Sequence, residues 1–232
     1  MKTVSIHQPN YLPWLGFFDK VVKSDVFVVF DNVQFPRGKQ HFGHRNMVKS
    51  TNGEGKWLTV PLVGKSDMKN FNEIGINYNG WNLDHLNLIK SFYSKSPYFG
   101  KYYEGLGSTL TKTYGTLSEL NVELIKYLLD SLHIDTEVVY CSELCGMEVS
   151  GADRIMFLLK KLEATHYVSG NGEGSMRYIN EQEFKDNGIE LRWQHYTHPM
   201  YKQLHGDFVS NLSVVDLLFN HGPHSRDILE NR

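Results

Sequence analysis

The sequence is poor in cysteine. Cys141 and Cys145 are its only two, four apart, with no second pair to complete a zinc site. They read as structural thiols of a reduced compartment. Long apolar runs are missing as well. No window approaches the ~20 residues of a membrane span, and the opening "MKTVSIHQPN" lacks the apolar core of a secretory leader. The expectation is a soluble, cytoplasmic chain with no membrane partner. Excess charge of either sign is absent too: the formal net charge is −2, which excludes bulk nucleic-acid binding as a general property. Several chemical signatures are lacking: no G-x-S-x-G nucleophile elbow, no H-E-x-x-H metal helix, no D-x-D in a plausible loop, and no lysine in a Schiff-base setting. The histidines of "HYTHPMYKQLHGDF", His195, His198 and His205, do not meet metal-helix spacing, since Pro199 breaks any helix after His198. No metal is expected.

What is present is an alternation of strand and helix signals. Thr3–His7 is rich in β-branched residues. "LGFFDKVVKS" then places Leu15, Phe18, Val21 and Val22 on one helical face, and "DVFVVFDN" is an apolar run of the kind buried on both faces of a parallel sheet. Residues 3–32 therefore read as a βαβ unit. Further strands are expected at 56–64, 72–79, 136–142 and 189–196, and 166–175 reads as a short strand running into a glycine-rich loop. Helices are expected from Trp81 to the stop at Pro97, over about 98–112, after Thr116, over 151–163 and over 213–222. Thr116-x-x-Glu119 and Ser150-x-x-Asp153 both have the form of capping boxes. The fold class is α/β: a mostly parallel, Rossmann-like sheet with helices on both faces. Residues 1–232 make one domain, with 65–115 as a less regular, helical inserted cap.

In such sheets ligands bind beyond the carboxyl ends of the strands. Three polar clusters fall there: His7-Gln8 after the first strand, Asp31-Asn32 with Gln34 after the second, and the glycine-rich Ser169-Gly170-Asn171-Gly172-Glu173 loop. His7 suits a general base or phosphate contact, its ordinary pKa lying near neutrality, or else caps the strand end. Tyr11 and Trp14 either stack on a sugar or base or pack against the sheet. Pro9 and Pro13 stiffen that loop. The stretch "FPRGKQHFGHRNMVK" carries Arg37, Lys39, His41, His44, Arg45 and Lys49 with no acidic residue, a pattern for diphosphate recognition or a solvated basic loop. The glycine loop is neither G-x-G-x-x-G nor a Walker A. It brings backbone N–H groups to phosphate or forms a plain turn, and Glu173 opposes a phosphate unless it serves as an acid or base.

"HQPNYLPWLGFFDKV", "FDNVQFPRGKQHFGHRN", "WLTVPL" and "LSVVDLLFNHG" together resemble the WbqC-like family. His7, Gln8, Pro9, Tyr11, Pro13, Trp14 and Gly16 match its first block; Asp31, Gln34, Arg45 and Asn46 match its second, and Asp216 and Asn220 its last. The resemblance implies a bacterial protein of O-antigen and surface-polysaccharide synthesis. A further resemblance, to HUP-type nucleotidyltransferases, covers the first strand, histidine loop and helix; the H-x-G-H signature is absent, because Gln8-Pro9 follows His7.

These implications lead to an acyl or aminoacyl transferase acting on the amine of a dTDP-linked amino-deoxysugar. His7 is the base, Gln8 or the glycine loop supplies oxyanion donors, and Arg37, Lys39 and Arg45 hold the diphosphate. His41 and Asn46 are counted among the substrate contacts. The cofactor is unassigned; the acyl donor is an acyl-CoA, an aminoacyl-tRNA or an ATP-generated adenylate. The partner is a nucleotide sugar, and a homodimer is compatible with the sequence. An ATP-dependent ligase or nucleotidyltransferase and a non-catalytic sugar-nucleotide binder are the alternatives.

Overall fold

The computed structural model describes residues 1–36, 41–64, 69–146 and 148–231. Its elements, in chain order, begin with β1 (Thr3–His7), α1 (Leu15–Val22), β2 (Val26–Val29), β3 (Arg45–Lys49) and β4 (Gly55–Thr59). Three helices follow, α2 (Trp81–Tyr93), α3 (Phe99–Leu110) and α4 (Leu117–Ser131). Next come β5 (Glu137–Tyr140), α5 (Cys141–Leu144), α6 (Gly151–Lys161), β6 (His166–Ser169), α7 (Glu173–Met176), α8 (Glu181–Asp186) and β7 (Glu190–Trp193). The chain closes with α9 (Val214–His221) and α10 (Ser225–Leu229).

Five strands form one sheet in the order β5-β2-β1-β6-β7, every neighbour parallel. This is the parallel α/β sheet that the sequence suggests, of Rossmann-like order. β2 shows why an unbroken apolar run belongs here. Phe27 and Val29 face a core shared with α1, α4 and α9, while Val26 and Val28 face Leu158 and Leu159 of α6. The strand order reverses at β1: β2 and β5 extend to one side, β6 and β7 to the other. That crossover is where an α/β sheet opens a crevice.

Four local expectations change. Residues 56–64 do not join the main sheet: β4 pairs antiparallel with β3, a strand inside the basic stretch. Arg45–Val48 alternates in burial, with Asn46 and Val48 turned inward, before Lys49, which is also buried. Residues 72–79 hold a 3-10 turn over Phe71–Glu73 and one isolated bridge from Leu62 to Ile76 rather than a strand. Within segment 65–115, α3 packs against α4 and α9, and α2 against α3, in the larger core. The capping box at Thr116 forms, with Glu119 N–H donating to Thr116 Oγ1 at 3.2 Å. The one at Ser150 does not: no side chain caps α6.

Candidate functional site

A cleft opens over the carboxyl ends of β1, β2 and β6. It has two adjoining lobes, of about 750 and 420 Å³, which share Gln8, Phe30, Ile155, Gly174 and Tyr178. The three polar clusters do meet on one rim. His7 and Ser169 line the smaller lobe, Asn32 and Gln34 the larger, and Gln8 both. Among the described residues the lining contains two arginines, Arg154 and Arg177, and no carboxylate.

His7 differs from the expectation of a near-neutral pKa. Burial, with the nearby Lys20 ammonium, pushes its pKa down to about 3. Its Nδ1 lies 2.8 Å from the Gln8 carbonyl. A carbonyl only accepts, so Nδ1 carries the proton and Nε2 of the neutral ring is an acceptor. Lys20 sits beneath. The β1–β6 ladder stops at Ser5–Val168, and the next carbonyl on that side, Ile6, receives the Lys20 ammonium at 3.0 Å instead. Burial lowers the pKa of Lys20 to about 7.

Several expected ligand contacts are spent on the fold. Tyr11 is fully buried and its hydroxyl lies 2.8 Å from His85 Nδ1. Trp14 packs edge-on against Tyr196 and lies over Gly16. The opening loop is a hub that ties other elements to the sheet. The Asn121 amide donates to the Pro9 carbonyl at 2.9 Å and to Gly43 at 2.7 Å. The Asn46 amide donates to Leu12 at 2.7 Å, and Val214 N–H to Pro13 at 2.9 Å. Leu12, at φ 41°, turns the backbone inward. Asn46 is therefore a brace and not a ligand contact.

Asp31 is buried; its Oδ1 accepts from Ser142 N–H at 2.9 Å and its Oδ2 from the Ser142 hydroxyl at 2.6 Å, so both oxygens start α5. Arg45 lies flat over Trp57 at 3.7 Å, on the hairpin and away from the cleft. His41 and His44 pack on Phe35 and so stand one layer behind the wall that Phe35 contributes. Arg37 and Lys39 lie outside the described residues. In the glycine loop, Gly172, Gly174 and Ser175 line the cleft, whereas Gly170, Asn171 and Glu173 do not. Glu173 begins α7, about 100° around the helix from Gly174. It is exposed and does not oppose an anion inside.

Sequence reasoning missed Arg154, Arg177, Phe30 and Tyr178. The signal for Arg154 was present: it interrupts the apolar face that continues through Leu158, one helical turn on. Phe30 and Tyr178 supply the ring surfaces that Tyr11 and Trp14 do not. Among the described residues, no group of three or more His, Cys, Asp or Glu is placed to hold a metal. Nor is any helix among them long and apolar enough to cross a membrane.

A model of the WbqC-like protein family matches residues 8–228, the hub loop, β2, β6 and α9 included. The chain belongs to the WbqC-like family. It is also 32% identical, over 99% of its length and 98% of the relative's, to the uncharacterized protein Rv1507c of Mycobacterium tuberculosis. No solved structure matches.

Proposed function

We propose that this WbqC-like protein is a transferase that binds a dTDP-linked amino-deoxysugar in the cleft and passes an acyl or aminoacyl group to the sugar amine. The observation that carries the reading is a cleft at the β1–β6 crossover holding a neutral histidine, two arginines and no carboxylate. Such a site favours an anionic ligand with a polar, reacting end. The resemblance to proteins of surface-polysaccharide synthesis supplies the sugar and the amine.

In the reaction, the amine nitrogen attacks the acyl carbon. A C–N bond forms, the bond from that carbon to the donor's sulfur or oxygen breaks, and the proton lost by the nitrogen passes by way of His7 Nε2 to the departing sulfur or oxygen. His7 Nε2 accepts the N–H and orients the amine. A pKa of about 3 makes His7 a weak base in the empty cleft. A bound diphosphate raises it, because nearby negative charge favours the imidazolium. In this reading Gln8 and the backbone of the glycine loop, both of which line the cleft, donate to the developing oxyanion.

A thermal-shift panel with dTDP- and UDP-sugars, ATP with Mg²⁺, and acyl-CoAs tests this first. A ligand at 100 times its Kd adds about 2.7 kcal/mol of stability. Stabilisation by a dTDP-amino sugar, followed by turnover that His7→Gln slows with KM little changed, is the expected result. Stabilisation by ATP and Mg²⁺ with pyrophosphate release would make the protein a ligase. Sugar-nucleotide binding with no turnover against any donor would make it a binding protein.

A further inference from the structure

Arg154 is 4% exposed, yet it lines the larger lobe. Its Nε donates to the Val149 carbonyl at 2.6 Å and its Nη1 to the Asn32 carbonyl at 2.9 Å. These acceptors are neutral. Among the described residues Arg154 forms no ion pair, and its Nη2 has no hydrogen-bond partner. Asp31, which neighbours Asn32 in sequence, has both oxygens on Ser142. A buried charge without a counter-charge is costly. It persists where a ligand supplies that counter-charge.

Two further features converge on the same lobe. Arg177 lies on its rim, exposed and without an ion pair among the described residues. Ser150 and Gly151 line the lobe where α6 begins, and no side chain caps that helix. The first-turn N–H groups of an eleven-residue helix thus stand beside the guanidinium. Asp153 shares that turn but is exposed and outside the lining.

We propose that the larger lobe is an anion site for a diphosphate, held by Arg154 from below, Arg177 from the rim and the first turn of α6. Arg37 and Lys39 of the basic stretch lie outside the described residues. Phe30, whose ring stacks 6.0 Å from the Arg154 guanidinium, offers the adjoining face for a nucleoside. The inference deepens the nucleotide-sugar reading, but the anion site stands or falls without the transfer chemistry.

The test is calorimetric titration of pyrophosphate and of dTDP, without divalent metal, into the full chain and into Arg177→Glu, Arg154→Lys and Lys90→Glu. Lys90 is exposed on α2, outside the lining, and makes the same charge change as Arg177→Glu. The expected result is pyrophosphate binding by the native chain, weakened roughly tenfold or more by Arg177→Glu and by Arg154→Lys. Lys90→Glu stays within about twofold. If Arg154→Lys does not fold, Arg177→Glu decides. No pyrophosphate binding at millimolar concentration, or equal affinity in Arg177→Glu and Lys90→Glu, overturns the site. Tighter binding of dTDP than of pyrophosphate identifies a nucleotide as the source of the diphosphate; equal binding points to a simpler phosphate ligand at the same site. Pyrophosphate binding that behaves as expected in a protein without transferase activity removes only the transferase reading.

Discussion

The ammonium of Lys20 donates to the carbonyl of Ile6 at 3.0 Å, in the place where the β1–β6 ladder stops. This cation is 3% exposed and its pKa is lowered to about 7 by burial. In the unfolded chain a lysine keeps its proton to about 10.4. Between pH 7 and 9 the unfolded state therefore holds more protons, and stability rises with pH through that window. The cost of the charge is fully present below about pH 7. Lys20→Met is expected to raise stability at pH 6–7 by about 2 kcal/mol. It should also abolish much of the rise between pH 7 and 9. Urea denaturation at pH 6, 7, 8 and 9 checks this; parallel curves for the two proteins would refute it.

Three histidines are expected to act in the same direction, in a more acidic window. Burial lowers His7 to about 3, and His44 and His85 to about 4. Unfolded histidine takes its proton near pH 6.5, whereas these refuse it until well below 5. From pH 6 to 4.5 the unfolded state binds the extra protons, so stability is lost as pH falls, at up to about 1.4 kcal/mol per pH unit for each histidine. Tm followed from pH 7.5 to 4.5 should drop steeply below 6.5. His44→Gln should remove part of the slope. A flat Tm over that range contradicts the assignment.

Asp31 is expected to matter for folding. Asp31→Ala leaves the Ser142 N–H and hydroxyl without their acceptors and should cost about 1–3 kcal/mol. Ser142→Ala removes only the hydroxyl bond and should cost about 1 kcal/mol. The double variant should cost less than the sum, because the pair shares one contact. Strict additivity in denaturant titrations would argue against the pairing.

Gly16 separates helix propensity from packing. Alanine in an exposed helix would stabilise by up to about 1 kcal/mol. A Cβ on Gly16, however, would lie 2.3 Å from Trp14 Cη2, which must move off Tyr196. Gly16→Ala is expected to destabilise by about 1–3 kcal/mol. In a Trp14→Leu background the same change should be close to neutral. A stabilising Gly16→Ala in the native background would show that the indole sits elsewhere.

The legible part of this protein is the part where one residue's environment repeats. The run Val26–Val29 is apolar at every position because both faces of β2 are covered, and that alone announced a parallel sheet. The rim at His7, Gln8, Asn32 and Ser169 followed from the sheet. The loop 9–14 was harder. An aromatic in a proline-rich loop carries the same letters whether it faces a ligand or the core, and the inward turn at Leu12 is a backbone event. The basic stretch hid β3 because its cations read as a charged loop, whereas Asn46 and Val48 turn inward and Lys49 itself is fully buried. Arg154 was masked by the capping box that Ser150 fails to form.

The sheet order has a consequence for synthesis. β1 is central, and its β6 partner is distant in the chain: Lys2 N–H bonds Thr165 Oγ1 across 163 residues. While the ribosome is still making α6, β1 has β2 on one side and a bare edge on the other, flanked by Val4 and Ile6. Trp14 likewise waits for Ser213, its bridge partner. Until β6 is available, the inner edge of β1 has no strand to pair with and is open to wrong partners.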